Sequence, residues 1–225
     1  METANRMKEP IARPASVRSI IFDLDGTLLA LERNPSSEAA RRWWMATEVP
    51  VSFVMLWLDR SGLSRLLRRW IDRGRRLKGI GTLDQLRPVP GAVRLVSRLA
   101  SEYSLGVVTN RGRREAHGFL HGSGMVRSLS AVVTREDVWL LKPHPAPIRR
   151  AIGLLGATPG STLVVGDLPV DMRAARRAGA LAIGVRTGFS TDAELRRAGA
   201  LVVLDSVRDL PELLERDRNN LEAVL

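Results

Sequence analysis

The sequence predicts an α/β fold, a doubly wound parallel sheet carrying a small helical insertion, and three observations carry that prediction. From Gly91 to the C-terminus, short apolar runs alternate with amphipathic stretches of helical period. The block 31–88 interrupts this pattern with helical periodicity alone. Acidic, hydroxyl and glycine residues follow the apolar runs, where the carboxyl ends of parallel strands gather ligands.

The first run, RSIIFDLDGTLL from Arg18, ends in acid, glycine and threonine, as a buried strand entering a turn does. After Ala30 the character becomes helical: Leu63, Leu66, Leu67, Trp70 and Ile71 recur at i, i+3, i+4, i+7 and i+8. Pro88 and Pro90 close that segment, because neither can continue a helix. Helix AVRLVSRLASEY, strand SLGVVTN, helix RREAHGFLHGSG, strand SAVVT, helix PAPIRRAIGLLG, strand STLVVGD and helix VDMRAARRAG then succeed one another. The strands ALAIGV and ALVVL, the helix TDAELRRAG between them and a last helix around Pro211 to Arg216 extend the series. The expected organisation is a loose tail over 1–17, a core formed by 18–30 and 89–225, and a helical cap over 31–88 inserted after the first strand.

Composition narrows the chemistry. The chain has 225 residues, 44% of them apolar, enough for a sizeable core. It has no cysteine, which excludes disulfides, thiolate metal sites and a cysteine nucleophile. His117, His121 and His144 are too scattered for a zinc set, so oxygen ligands and a hard cation such as magnesium are expected. The N-terminal stretch lacks the apolar centre of a secretory signal. The longest apolar run, Val49 to Leu58, falls short of the roughly 18–20 residues that span a bilayer. A cytoplasmic protein without membrane partners is the expectation. The net charge is +11, of which the segment 31–88 holds +6. Of the basic residues only Lys8, Lys78 and Lys142 are lysine, a skew that genome composition or thermal adaptation produces without an anionic partner, which argues against nucleic acid as the main one. Nothing in the sequence sets an oligomeric state.

The strand ends supply one set of reactive groups. Asp23 and Asp25 end the first strand, Thr109 and Asn110 the second, and Asp167, with Asp171 four residues on, the fourth. Lys142 lies in the loop LKPHP before a helix. Four carboxylates in one crevice repel unless a cation joins them, and magnesium takes carboxylates, waters and substrate phosphate as ligands. Lys142, the Thr109 hydroxyl and the backbone amide of the Gly26 turn then have phosphoryl oxygens as natural partners. A calcium-loop reading fails, since Asn34 rather than glutamate stands twelfth from Asp23.

In order and spacing, DLDGT at 23–27, TN at 109–110, KP at 142–143 and GDLPVD at 166–171 resemble the four motifs of the haloacid dehalogenase superfamily, near its phosphoglycolate phosphatase-like members with a helical cap. The resemblance implies a Rossmann-like core, Mg²⁺ and a phosphoaspartate intermediate. It implies that Asp23 is the nucleophile and Asp25 the general acid and then base. Asp23 and Asp167 would hold the metal by side chains, Asp25 by its carbonyl, and Asp171 would ligate or steady it. Thr109, Asn110, Lys142 and Gly26 would bind phosphate. The expected function is hydrolysis of a small phosphomonoester. A phosphosugar mutase keeps the same motifs and stays open as the alternative, and a nucleic-acid-binding protein on this scaffold is a third reading. Asp25 argues against dehalogenases, which lack a second aspartate there. Two departures concern substrate placement: Arg111 stands where lysine is common, and Leu168 and Pro169 replace small polar residues.

Blander roles compete for some residues. Asp171 is also suited to a helix N-terminus, and the tryptophans Trp43, Trp44, Trp57 and Trp70 to cap packing. Arg73, Arg75, Arg76 and Lys78 read as a solvated cap face, and His117 and His121 as surface or packing residues.

Overall fold

The computed structural model describes residues 17–30 and 87–215, together with Val54, Trp57, Leu58 and Ser61. The expected tail, apart from Val17, and nearly all of the expected cap, including Trp43, Trp44, Trp70, Lys78 and the arginines near it, lie outside the described residues.

Six parallel strands form one sheet: β1 (Ser19–Phe22), β2 (Ser104–Val108), β3 (Ala131–Val133), β4 (Thr162–Gly166), β5 (Leu181–Val185) and β6 (Val202–Leu204), in the order β3-β2-β1-β4-β5-β6. The α/β, doubly wound expectation is met. Each predicted strand–helix alternation after Gly91 is present, with α1 (Ala92–Leu99), α2 (Arg113–Gly122), α3 (Ala146–Leu154), α4 (Pro169–Ala178) and α5 (Asp192–Ala198) between the strands, and helical residues over 210–215.

The strands read as continuous apolar runs because helices cover both faces. Ile20 and Phe22 point to one side, where Leu95, Val96 and Leu99 of α1 and Phe119 and Leu120 of α2 meet them. Ile21 points to the other, against Ile148 and Ile152 of α3, Met172 and Ala175 of α4 and Leu195 of α5. Helix boundaries follow local chemistry. Pro169 opens α4, where a missing N–H costs nothing, and Gly179, at φ +83°, ends it. Thr191 and Glu194 cap α5 reciprocally, with Glu194 N donating to Thr191 Oγ1 at 3.3 Å and Thr191 N to Glu194 Oε2 at 2.8 Å.

Two features position the site. β1 pairs with β2 and β4, with Phe22 level with Val107 and Val165, so the residues just beyond these three strands lie side by side. The strand order reverses at β1, the switch point at whose carboxyl ends open α/β sheets bind ligands. At the same edge residues 28–30 and 87–89 run side by side: Ala30 N donates to Arg87 O and Val89 N to Leu28 O, both at 2.8 Å.

Two exposed arginines of the helices bond to backbone carbonyls. Arg149 donates to the Arg177 carbonyl and Arg177 to the Pro143 carbonyl, both at 3.0 Å. Among the described residues no helix is long and apolar enough to cross a membrane.

Candidate active site

Asp23 follows β1 directly, and its amide donates to the Val165 carbonyl at 2.8 Å, extending the sheet pairing by one residue. Its carboxylate is buried and pairs with Lys142 Nζ. Lys142 also donates to the Val108 carbonyl at 3.1 Å and sits 2.6 Å from Asp171 Oδ1. One ammonium, 4% exposed, thus joins the loop before α3, the end of β2 and two carboxylates.

Asp171 takes the helix N-terminal place that the sequence allowed and also faces Lys142. In the first turn of α4 its Oδ2 accepts from Leu168 N at 3.0 Å, satisfying a helix-end donor, while Oδ1 faces Lys142. Asp167, at the end of β4, is 1% exposed. Its Oδ2 accepts from Phe189 N at 3.3 Å, and its Oδ1 is buried with no hydrogen-bond partner.

The carboxylates crowd one another. Asp23, Asp167 and Asp171 each offer an oxygen within 4.8 Å of the others, the only such group of three among the described residues. Burial pushes the Asp23 carboxyl up to about 8, against the pull of Lys142, with Asp171 and Asp25 adding to the rise. Burial, then Asp23 and Asp171, raises Asp167 well above the usual carboxylate range. Burial alone would lower the Lys142 ammonium, but Asp171 and Asp23 outweigh it and raise it. An all-oxygen donor set, a partnerless buried oxygen and mutual repulsion suit a divalent hard cation, and Mg²⁺ fits these residues.

The raised carboxyls set a pH dependence. Their folded-state values exceed the ordinary 3.8, so in a chelator the folded chain binds more protons than the unfolded chain between about pH 3.8 and 8. Stability is therefore expected to fall as pH rises through that window, and saturating Mg²⁺ to flatten the fall. Thermal unfolding at pH 5 and pH 8, with EDTA and with Mg²⁺, checks both; a chelated protein equally stable at the two pH values contradicts the assignment.

Asp25, two residues beyond Asp23, pairs with an arginine and not with Lys142. Arg111 engages it through Nε to Oδ2 at 3.0 Å and through Nη2 to Oδ1. Thr109 is buried, and its hydroxyl oxygen accepts from the Arg111 amide at 3.0 Å. Asn110 lies half-buried beside it.

Gly26 corrects one expectation. Its amide, assigned to a phosphoryl oxygen, instead donates to the Leu29 carbonyl at 2.8 Å, closing the turn on itself. The glycine serves sterically: at φ +76° a Cβ would stand 2.5 Å from Asp167 Oδ2. Sequence reading also left unassigned the segment Thr187–Ser190 after β5. Thr187 donates to the Gly26 carbonyl, Phe189 N to Asp167, and a Cβ on Gly188 would fall 1.7 Å from Asp167 Oδ2. The signal was available, since these residues also follow a strand and include a glycine where backbone approaches a side chain. Gly188→Ala is expected to displace Asp167, lowering stability by about 1–3 kcal/mol and reducing the gain in Tm on adding Mg²⁺. Denaturation with and without Mg²⁺ measures both. His117 and His121, with tilted rings 6.3 Å apart on α2, belong to no such group among the described residues.

Comparison with known proteins adds an independent finding. The sequence model of the haloacid dehalogenase-like hydrolases matches residues 58–185, which include Thr109, Lys142, Asp167 and Asp171. A phosphoglycolate phosphatase of Salmonella typhi is 28% identical over 233 aligned positions, covering 87% of this chain and 91% of its own. A pyrophosphatase of Bacillus mycoides is 35% identical over 114 positions, 51% of this chain and 53% of its own. Among solved structures, a hydrolase from Pseudomonas syringae superposes with a TM-score of 0.65 at 28% identity, covering 88% of this chain and 98% of its own.

Proposed function

Because the chain belongs to the haloacid dehalogenase-like hydrolases, we propose that it is a Mg²⁺-dependent phosphatase cleaving a small phosphomonoester through a phosphoaspartate at Asp23. The observation that carries this reading is the union of Asp23, Lys142, Asp171 and Asp167 in one buried group at the sheet's switch point, with Asp25 beside it.

Asp23 is the only carboxylate of the group that ends β1 and contacts Lys142, and its free oxygen is the nucleophile. In-line attack on phosphorus forms an acyl phosphate as the P–O bond to the alcohol breaks. Asp25 gives its proton to the departing oxygen. It then takes a proton from the water that attacks phosphorus, which restores Asp23 and frees phosphate. Lys142 neutralises charge shared between Asp23 and the phosphoryl group. The Thr109 oxygen already accepts from Arg111 N, which leaves the hydroxyl hydrogen to donate to a phosphoryl oxygen, with Asn110 alongside. The side chains of Asp23 and Asp167 and the Asp25 carbonyl would hold Mg²⁺, with Asp171 ligating or steadying it. When bound, the ion neutralises phosphoryl charge and draws density from the breaking bond.

The segment 31–88 is proposed as the cap that sets specificity and excludes water. Phosphoglycolate is the first substrate to test, since relatives aligned over most of the chain carry that name. The reading places the enzyme in the cytoplasm, where small phosphorylated metabolites are retained. Phosphate release from phosphoglycolate, p-nitrophenyl phosphate, sugar phosphates and pyrophosphate, with Mg²⁺ and with EDTA, tests it. Release from at least one ester, abolished by EDTA, is expected. A folded protein that releases phosphate from none of them overturns the reading.

A further inference from the structure

The proposed mechanism needs a carboxyl on Asp25 that can move to the leaving oxygen, and in the structure both of its oxygens are paired with Arg111. Arg111 Nε donates to Oδ2 and Nη2 to Oδ1, a two-point fork that ties both oxygens to one guanidinium. The arginine lies beneath the acid: its side chain is 6% exposed, that of Asp25 28%. Its position is fixed from the backbone, since its amide donates to Thr109 Oγ1 and its carbonyl accepts from Arg135 N at 3.3 Å. The pair must therefore open in each cycle, with Asp25, the more exposed partner, moving off a fixed arginine.

A buried guanidinium that gives up its carboxylate needs another anion, because breaking such a pair without replacement is costly. A phosphoryl group offers two oxygens in the same planar, two-point geometry, which a guanidinium fork matches and a lysine ammonium does not. Thr109, proposed as a phosphoryl donor, is bonded directly to the Arg111 amide, so the fork stands beside the place where that group binds. We infer that Arg111 is an exchangeable clamp, holding the Asp25 carboxylate in the free protein and a phosphoryl oxygen pair in the complex. Substrate binding thereby frees the Asp25 carboxylate, which takes a proton from solvent before giving it to the departing oxygen, and an ester lacking a dianionic head leaves Asp25 locked. Arg111 touches substrate in this account and is a further catalytic residue of the reaction proposed above, on which the inference rests.

Competition for one fork has a signature that charge alone does not. Binding of inorganic phosphate, measured by calorimetry with Mg²⁺ present, is compared in wild type, Asp25→Asn, Arg111→Gln and the double variant. Arg111→Gln is expected to weaken phosphate roughly tenfold or more, as loss of a charge-assisted contact does. Asp25→Asn is expected to tighten it when Arg111 is present. In the chain that already carries Arg111→Gln, the same change is expected to give a clearly smaller gain, since no fork remains to be freed. Arg111→Lys, a second variant should Arg111→Gln not fold, is expected to recover part of the phosphate affinity without restoring KM for an ester. Equal gains from Asp25→Asn in both backgrounds, unchanged phosphate affinity on losing Arg111, or a wild type that binds no phosphate each overturn the inference. Because the readout is binding, absence of turnover on every ester defeats the phosphatase reading while the cycle still judges the clamp.

Discussion

Asp23→Asn is expected to reduce phosphate release by at least ~10³-fold while leaving the fold intact. An amide neither attacks phosphorus nor forms an acyl phosphate, so no other residue of the site substitutes for it. The stability change has the opposite sign from most buried polar substitutions. Burial and the neighbouring Asp171 and Asp25 push the Asp23 carboxyl up to about 8, so its ionised form is a burden on the folded state in the absence of metal. Removing the charge relieves that repulsion, while Lys142 keeps Asp171 at 2.6 Å. The variant is therefore expected to unfold at an equal or higher temperature than wild type at pH 8 in EDTA. Parallel activity and thermal-unfolding measurements check the pair of outcomes. Lost activity with a lowered Tm at pH 8 in EDTA points to structural damage and not to a missing nucleophile.

Lys142→Met is expected to produce the largest loss of stability. The side chain is 4% exposed and pairs with Asp23 and Asp171, so its removal leaves two buried carboxylates without a cation. Breaking one partner out of a buried ionic group costs about 3–5 kcal/mol. Methionine keeps most of the volume, which makes the loss electrostatic and not a packing defect. Two consequences separate this from an ordinary core lesion. Mg²⁺ is expected to restore more stability to the variant than it adds to wild type, since it supplies the missing charge. Lower pH is expected to do the same by protonating the raised carboxyls. Chemical denaturation across pH, with and without Mg²⁺, reads both, and a deficit insensitive to either contradicts the assigned role.

Most of this fold was legible because a parallel sheet covered on both faces leaves unbroken apolar strands, and SIIF, SLGVV and TLVVG are such runs. The strand order was not, since it depends on pairings between segments far apart in the chain, such as β1 with β4, where Ser19 stands level with Thr162, and periodicity does not encode them. The gathering of Asp23, Lys142, Asp167 and Asp171 was legible for a related reason: each follows a strand or precedes a helix at the sheet's carboxyl edge. What the sequence concealed was the pairing of side chains across neighbouring strand ends. Phe22 stands level with Val107, which places Asp25 and Arg111 at similar heights beyond adjacent strands, yet neither residue's surroundings announce the other. The Gly26 amide was misassigned because a glycine after an acidic strand end suggests an open anion-binding turn. Here the turn uses that N–H internally, bonding to Leu29. Gly188 escaped notice because its constraint comes from Asp167, far away in sequence.

The chain's basic charge is in part explained locally. Arg149, Arg177 and Arg197 reach backbone carbonyls, while Arg196 pairs with Asp192 at 2.7 Å within α5. Such arginines cover helix ends and exposed faces without an external anion.

The central claim is that Asp23 carries the phosphoryl group. Mixing the Mg²⁺-loaded enzyme with a hydrolysed ester, quenching in acid within a single turnover and sequencing the peptides by mass spectrometry tests it most directly. The account predicts one added phosphoryl group on the peptide containing Asp23, converted to homoserine at that position by borohydride and absent from Asp23→Asn. Rapid phosphate release with no phosphoryl group on Asp23 at any quench time contradicts it and assigns the attack to water.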